Sequence, residues 1–343
     1  MKLDVDEVFA SSESENEEEI LEDSFELEND EETSEIETDG SSYNPNDSFN
    51  TSGTISEEND TEVLWYLKRP REYTGIPKES LHIIDILRKF INCSAEEIYI
   101  VLVKIRKNYT NTDMADRFCV NEKRIRSIFA SRLPSIAEVL KHFKQWPSLR
   151  EIKMTLPIAF RRNFRKVQAI IDAFEIEIQK PTDPVLQALT WSDYKKCNTL
   201  KYLVVSLPNG QIIFISDGYG GRISDIELTT RSDFLAKLPE GAHVLTDIGF
   251  KGVESLLREQ GCKLVRPPSL RSGTKMSKSD VRKTKQVASI RIHIERAIRR
   301  VREFYMLKPH SCVHHDTMKY MDHCLIVACG IINLQPALIK YTD

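Results

Sequence analysis

Between Ser277 and Phe304 the apolar residues Val287, Ile290, Ile294, Ala297 or Ile298, and Val301 recur at steps of three and four, the period of a helix with one buried face. Ser277 followed by Asp280 gives a capping-type start, and neither Pro nor Gly interrupts before Pro309. The same period appears near the other end. Leu81 to Ile91 reads as an amphipathic helix. Ser94 with Glu97 marks a capping box opening a helix through about Lys107, and Asn111 or Thr112 caps a second, short helix to Phe118. Cys119 to Asn121 form a turn, Glu122 to Arg132 a third helix, and Ile136 to Trp146 another, ended by Pro147. Ala115, Phe118, Val120, Ile125 and Ile128 are spaced to let two short helices cross steeply, as in a helix-turn-helix.

After Phe164 the period drops to two. VQAIIDAFEIEI, residues 167 to 178, reads as a strand containing Asp172. Residues 199 to 219 hold two alternating runs separated by Asn209-Gly210, a tight-hairpin signal. Ser224 with Glu227 predicts a helix to about Leu238. AHVLTDIGF is a short strand ending at Asp247, followed by a helix from Gly252 to Gln260, a stop at Gly261, and the strand CKLVRPP. A polar loop from Ser269 to Lys278 leads into the long helix. Strands that first pair locally and then alternate with helices predict an α/β fold, a mixed sheet with helices on its faces.

Charge divides the chain again. Residues 1–62 contain 23 acidic residues against one lysine, a net of −22, so in a chain of −4 overall the remainder is at +18. The leader is also poor in apolar residues and reads as a disordered acidic tail, a solvated spacer or a segment that shields the basic surface. The expected division is therefore 1–62 tail, 63–150 helical helix-turn-helix DNA-binding domain, and 151–343 α/β domain. A body at +18 points to nucleic acid. Lys123, Arg124 and Arg126 on the third helix suit a recognition surface for double-stranded DNA. Lys68, Arg69 and Arg71 form a short basic cluster that suits a nuclear address. Seven widely spread cysteines without a C-x-x-C suit reduced thiols in an intracellular protein, and no secretory leader or membrane-spanning run is expected.

Glu295 follows the core-facing Ile294 and stands among Arg291, Arg296, Arg299 and Arg300. One reading is a surface Glu paired with Arg291 and Arg299 at i±4. The other is a metal-binding carboxylate, which needs partners. Asp172 and Asp247 are the candidates: each lies in or at the end of an apolar strand, where an unpaired charge is costly. Glu175 and Glu177 read as strand-end surface acids. Gly218, Gly220 and Gly221 read as a turn, since no G-K-[ST] follows. The spacing of Cys312, His314, His315, His323 and Cys324 fits no standard zinc module.

TDIGF at 246–250, IIDAFEI in the first strand, YGGRISD between them and RIHIERAIRRVR in the long helix, with 47 residues between Asp247 and Glu295, resemble in order the motifs of the DDE-superfamily transposase nucleases, in particular the PIF/Harbinger-like group. The resemblance covers about Val167 to Leu338, and a preceding helix-turn-helix is also part of that plan. It implies a ribonuclease-H-like fold in which Asp172, Asp247 and Glu295 hold two divalent cations, Mg²⁺ or Mn²⁺, and cut DNA phosphodiesters, a chemistry that suits carboxylate ligands. Glu175 matches the first-strand element. Asp225 matches an acid of the family and is an alternative metal ligand, although its place after the Ser224 cap accounts for it through the helix dipole. Arg291, Arg296, Arg299 and Arg300 would grip the DNA backbone. A Myb-like partner protein and a homo-oligomer are further expectations from the resemblance. The alternative is a domesticated, non-cleaving DNA-binding or regulatory protein on the same fold.

Overall fold

The computed structural model describes residues 66–142, 146–268 and 277–338. The acidic leader and its expected disorder, and most of the polar loop before the long helix, lie outside the described residues. The first helices are α1 (Pro70–Thr74), α2 (Ile83–Ile91), α3 (Ala95–Lys107), α4 (Asn111–Arg117) and α5 (Glu122–Lys141). Ser94 Oγ accepts the Glu97 N–H at 3.1 Å as its position predicts, but the capping box is not reciprocal. The Glu97 carboxylate instead accepts from Arg124 Nη2 and Arg132 Nε, each at 2.9 Å, tying α3 to α5. The cap of α4 is Thr110, one residue before the expected pair, because Asp113 returns to its backbone and completes the box.

Helix α5 differs most from expectation. It runs unbroken through Pro134, where two helices are predicted. A proline inside a helix costs about 3 kcal/mol. Leu133, Ile136, Ala137 and Leu140 are all buried, and burial of each of the three larger side chains contributes roughly 1.5–3 kcal/mol. Packing therefore outweighs the lost hydrogen bond. The partner surface is the last helix, Met321–Asn333, where Gly330 allows the close approach: a Cβ there would meet Leu140 Cβ at 2.8 Å.

Helices α6 (Leu149–Met154) and α7 (Ile158–Arg161) lead into strand β1 (Val167–Glu177) at the centre of the sheet. Next come α8 (Pro184–Thr190), β2 (Trp191–Ser192), β3 (Cys197–Ser206), β4 (Ile212–Ile215) and β5 (Tyr219–Gly220). The hairpin forms at Asn209-Gly210 as predicted, with Gly210 at φ +89° and Val205 opposite Phe214. The expected helix from Ser224 divides into α9 (Asp225–Arg231) and α10 (Phe234–Lys237), since Ser232 turns to extended backbone. Strand β6 (His243–Leu245), α11 (Val253–Glu259), β7 (Lys263–Val265), α12 (Lys278–Val301), α13 (His315–Met318) and α14 (Met321–Asn333) complete the order.

The sheet order is β2-β3-β1-β6-β7, with β4 and β5 also paired to β3. Pairing of β1 with β3 is antiparallel; β1 with β6 and β6 with β7 are parallel. Period-two alternation assigns the faces. Ala169 and Ile171 join Leu228, Phe234 and Leu257 under α9 to α11. Ile170 and Leu245 pack with Val287, Ile290 and Ile294 of α12, and Phe174 and Ile176 join the larger core shared by α5 and α14. The result is a mixed sheet with helices on both faces.

Candidate active site

Three local rules bring the acids together. Asp172 has the parity of Ile170 and Phe174, so the pleat points it to the α12 face. Parallel pairing sets Ile170 against Leu245, and Asp172 and Asp247 each lie two residues further on, Asp172 still within β1 and Asp247 just past the end of β6. Glu295 follows Ile294, whose fully buried side chain seats α12 on Ile170 and Leu245.

Arg291 spans this cluster. Its Nη2 lies 2.9 Å from Glu295 Oε1 and 3.9 Å from Asp172 Oδ2. The pair with Glu295 is the i,i+4 contact expected of a surface reading; the reach to Asp172, across to β1, is not. Asp172 also accepts the Ala173 N–H at 2.9 Å. Burial pushes its carboxyl up to about 6; Arg291 and the Ala173 N–H oppose the shift, and the charges of Asp247 and Glu295 add to it. That mutual repulsion is the electrostatic sign of three acids sharing one region.

Asp247 Oδ1 is buried with no hydrogen-bond partner among the described residues. It borders Gly249, where an added Cβ would stand 3.1 Å from it and 3.0 Å from Asp225 Oδ2. Asp225 therefore belongs to the same neighbourhood, but Lys201 Nζ holds its other oxygen at 2.8 Å. Lys201 is a site residue that the sequence reading missed. Its signal was a lysine in the apolar run of β3, directly opposite Glu175. Arg302 is another, stacked over the Phe174 ring at 5.0 Å, with burial lowering its pKa against the opposing pull of Glu175 and Asp172. Glu175 faces away from Asp172, its carboxylate accepting from Thr199 Oγ1 at 2.9 Å.

Among the described residues no three His, Cys, Asp or Glu side chains stand close enough to form a ready metal-holding group. The guanidinium of Arg291 fills part of the space between two of the acids. The donor chemistry nonetheless fits a hard divalent cation: carboxylate oxygens only, one of them buried and unpartnered. Asp172, Asp247 and Glu295 are the residues that would hold it, with Asp225 beside them.

The expected DNA contacts divide. Arg296 and Arg299 are exposed on α12, whereas Arg300 donates to the Pro336 carbonyl at 2.8 Å. Lys123, Arg124 and Arg126 are exposed on the first turns of α5, with Arg124 tied to Glu97 and Arg126 to Glu122 at 2.8 Å.

Residues 171–333 match the family model described as DDE superfamily endonuclease. The match supports a DDE transposase-derived nuclease, and its span contains Asp172, Asp247 and Glu295 while the helical region before β1 lies outside it. Comparison with curated proteins and with solved structures finds no match.

Proposed function

We propose that the chain is a divalent-metal-dependent DNA endonuclease and strand transferase of transposase type, with a ribonuclease-H-like catalytic domain of the PIF/Harbinger-like group. The observation that supports this best is the convergence on one region of Asp172 within β1, Asp247 just past the end of β6 and Glu295 on the helix packed across the sheet, with Arg291 between Asp172 and Glu295. When bound, Mg²⁺ or Mn²⁺ supplies a Lewis acid for the phosphodiester and an activated water or 3′-hydroxyl. The chain's own residues do the rest. Ile294, packed on Ile170 and Leu245, fixes the height of Glu295 above the sheet, and the Ala173 N–H fixes the Asp172 carboxylate. Arg296 and Arg299, one and four residues beyond Glu295, are exposed to hold phosphates beside the acids. Lys123 and Arg126 are the contacts by which α5 would meet a major groove. Exposed Lys68, Arg69 and Arg71 support a nuclear location as part of the same proposal.

Purified protein with Mn²⁺ should nick supercoiled plasmid, and Asp247→Ala should lower the rate at least about a thousandfold, the scale of losing a group that acts only in the transition state. Its affinity for duplex DNA should stay within about twofold of the parent. Equal nicking by Asp247→Ala and the parent chain removes Asp247 from the mechanism.

A further inference from the structure

A second concentration of charge lies at the far edge of the sheet. Strand β7 is the last in the order, and a groove of about 620 Å³ runs beside it, bounded by the start of β1, the start of β6 and the first turns of α12. Arg162, Arg165, Lys166, Lys263, Arg266 and Lys283 line this groove. All but Arg266 are exposed. Among the described residues, Arg162, Lys166, Lys263 and Lys283 have no ion-pair partner. The one lining carboxylate, Glu254, is already shared by Arg258 at 3.4 Å and Arg266 at 3.8 Å. The positive field is therefore not neutralised from within. His243, at the base of the groove, registers it: burial lowers its pKa, and Lys263 and Lys166 lower it further. The floor between the cations is apolar, formed by Phe164, Leu264 and Pro267, so a backbone of phosphates with a less polar interior fits better than a small hydrated anion.

Position adds a constraint. Val167 lines the groove and Asp172 lies five residues along the same strand. At about 3.3 Å per residue the separation is roughly 17 Å, and a duplex repeats about every 34 Å, so the groove lies roughly half a turn from the acids.

We propose that this groove is a second DNA-binding site that holds the phosphate backbone of a duplex about five base pairs, half a helical turn, from the phosphodiester placed at Asp172, Asp247 and Glu295. The distance from the cut rests on the nuclease reading; the binding itself does not. The test uses the full chain without divalent metal and a fluorescein-labelled duplex of about three helical turns, with anisotropy followed over a series of KCl concentrations. Lys166→Ala/Lys263→Ala/Lys283→Ala should bind at least about tenfold more weakly at fixed salt, with the slope of log affinity against log salt flattened by roughly two to three. A control of equal charge at exposed lysines elsewhere, Lys89→Ala/Lys195→Ala/Lys319→Ala, should lose less than about threefold, with a slope change below about one.

An unchanged slope in the groove variant, or equal losses in the two variants, overturns the proposal. So does a groove variant that loses affinity for a peptide of residues 1–62 while keeping the parental slope for duplex, an outcome that assigns the groove to the chain's own acidic leader. A photo-crosslinker introduced at Lys263 should label the duplex about five base pairs from the position nicked with Mn²⁺, and crosslinks centred elsewhere overturn the placement. Absence of nicking removes the nuclease reading and leaves the anisotropy result standing.

Discussion

Helices α5 and α12 are built from similar material. Each has twenty or more residues, many arginines and one apolar side, and each ends up against a larger core. Their charges are used differently. On α5, Arg124 and Arg132 are drawn inward to Glu97 of α3, so charge braces one helix against another while the buried side packs on α14. On α12 the apolar side seats the helix on strand residues Ile170 and Leu245, and the neighbouring Arg291 and Glu295 face the carboxylate of Asp172. The first arrangement pairs the Glu97 carboxylate with two guanidinium groups, one on each oxygen. The second leaves acids near one another, one of them with its carboxyl pushed up to about 6, chiefly by burial, and another with an unpartnered buried oxygen. Crowded like charges cost stability and are the usual mark of a place where chemistry is done.

The contrast breaks most severely if α5 is only loosely docked. Leu133→Ala, at a fully buried position, should destabilise the protein by roughly 2–5 kcal/mol, read as a shift in the urea midpoint at constant m. A loss well under that range would mean that α5 is not part of the central core.

Asp172→Asn probes the opposite sign. Because the folded-state value stands at about 6 against an ordinary 3.8, the folded chain keeps a proton between these values that the unfolded chain has already lost. The stability of the metal-free parent should therefore fall as pH rises through that window and stay reduced above it. Asn carries no such penalty, so at pH 7.5 the variant should be more stable by on the order of 2–3 kcal/mol, with the difference vanishing below about pH 4. A pH-independent difference would show that the cost of holding a buried, crowded charge at Asp172 is not its origin.

The smallest effect belongs to Arg291→Gln. Its partly exposed pair with Glu295 should contribute no more than about 1 kcal/mol to the metal-free protein. The gain in melting temperature on adding Mn²⁺ should be larger in the variant, since no guanidinium then competes for Asp172 and Glu295. A smaller gain would mean that Arg291 assists the ion rather than standing in its place.

Much of this architecture was legible because its signals are local. The three-and-four spacing of Val287, Ile290, Ile294 and Val301, the Asn209-Gly210 hairpin and the caps at Ser94, Ser224 and Ser277 are short-range chemistry, and each appears where its residues predict. Asp172 and Asp247 stood out because charges in apolar strands demand an explanation. What escaped was decided by tertiary contact. Pro134 reads as a break, yet the fit of Leu140 against Gly330 holds the helix through it. Lys201 reads as a strand residue until Asp225, from a separate helix, arrives beside it. The groove along β7 was hidden because its lysines and arginines come from three separate stretches of chain, which only the fold brings to one edge.

One apolar mass joins Ile125, Ile128 and Leu133 of α5 to Ala297 and Val301 of α12, with Phe174 of β1 and the body of α14 between. Sliding the first turn of α5 relative to the acids would mean tearing that mass open, so the span between them behaves as a fixed ruler. Under the proposed function, a duplex gripped by α5 would itself have to bend or twist to bring a chosen phosphate to the acids, and the register of the cut would then be written in the stiffness of the nucleic acid rather than in any hinge of the protein.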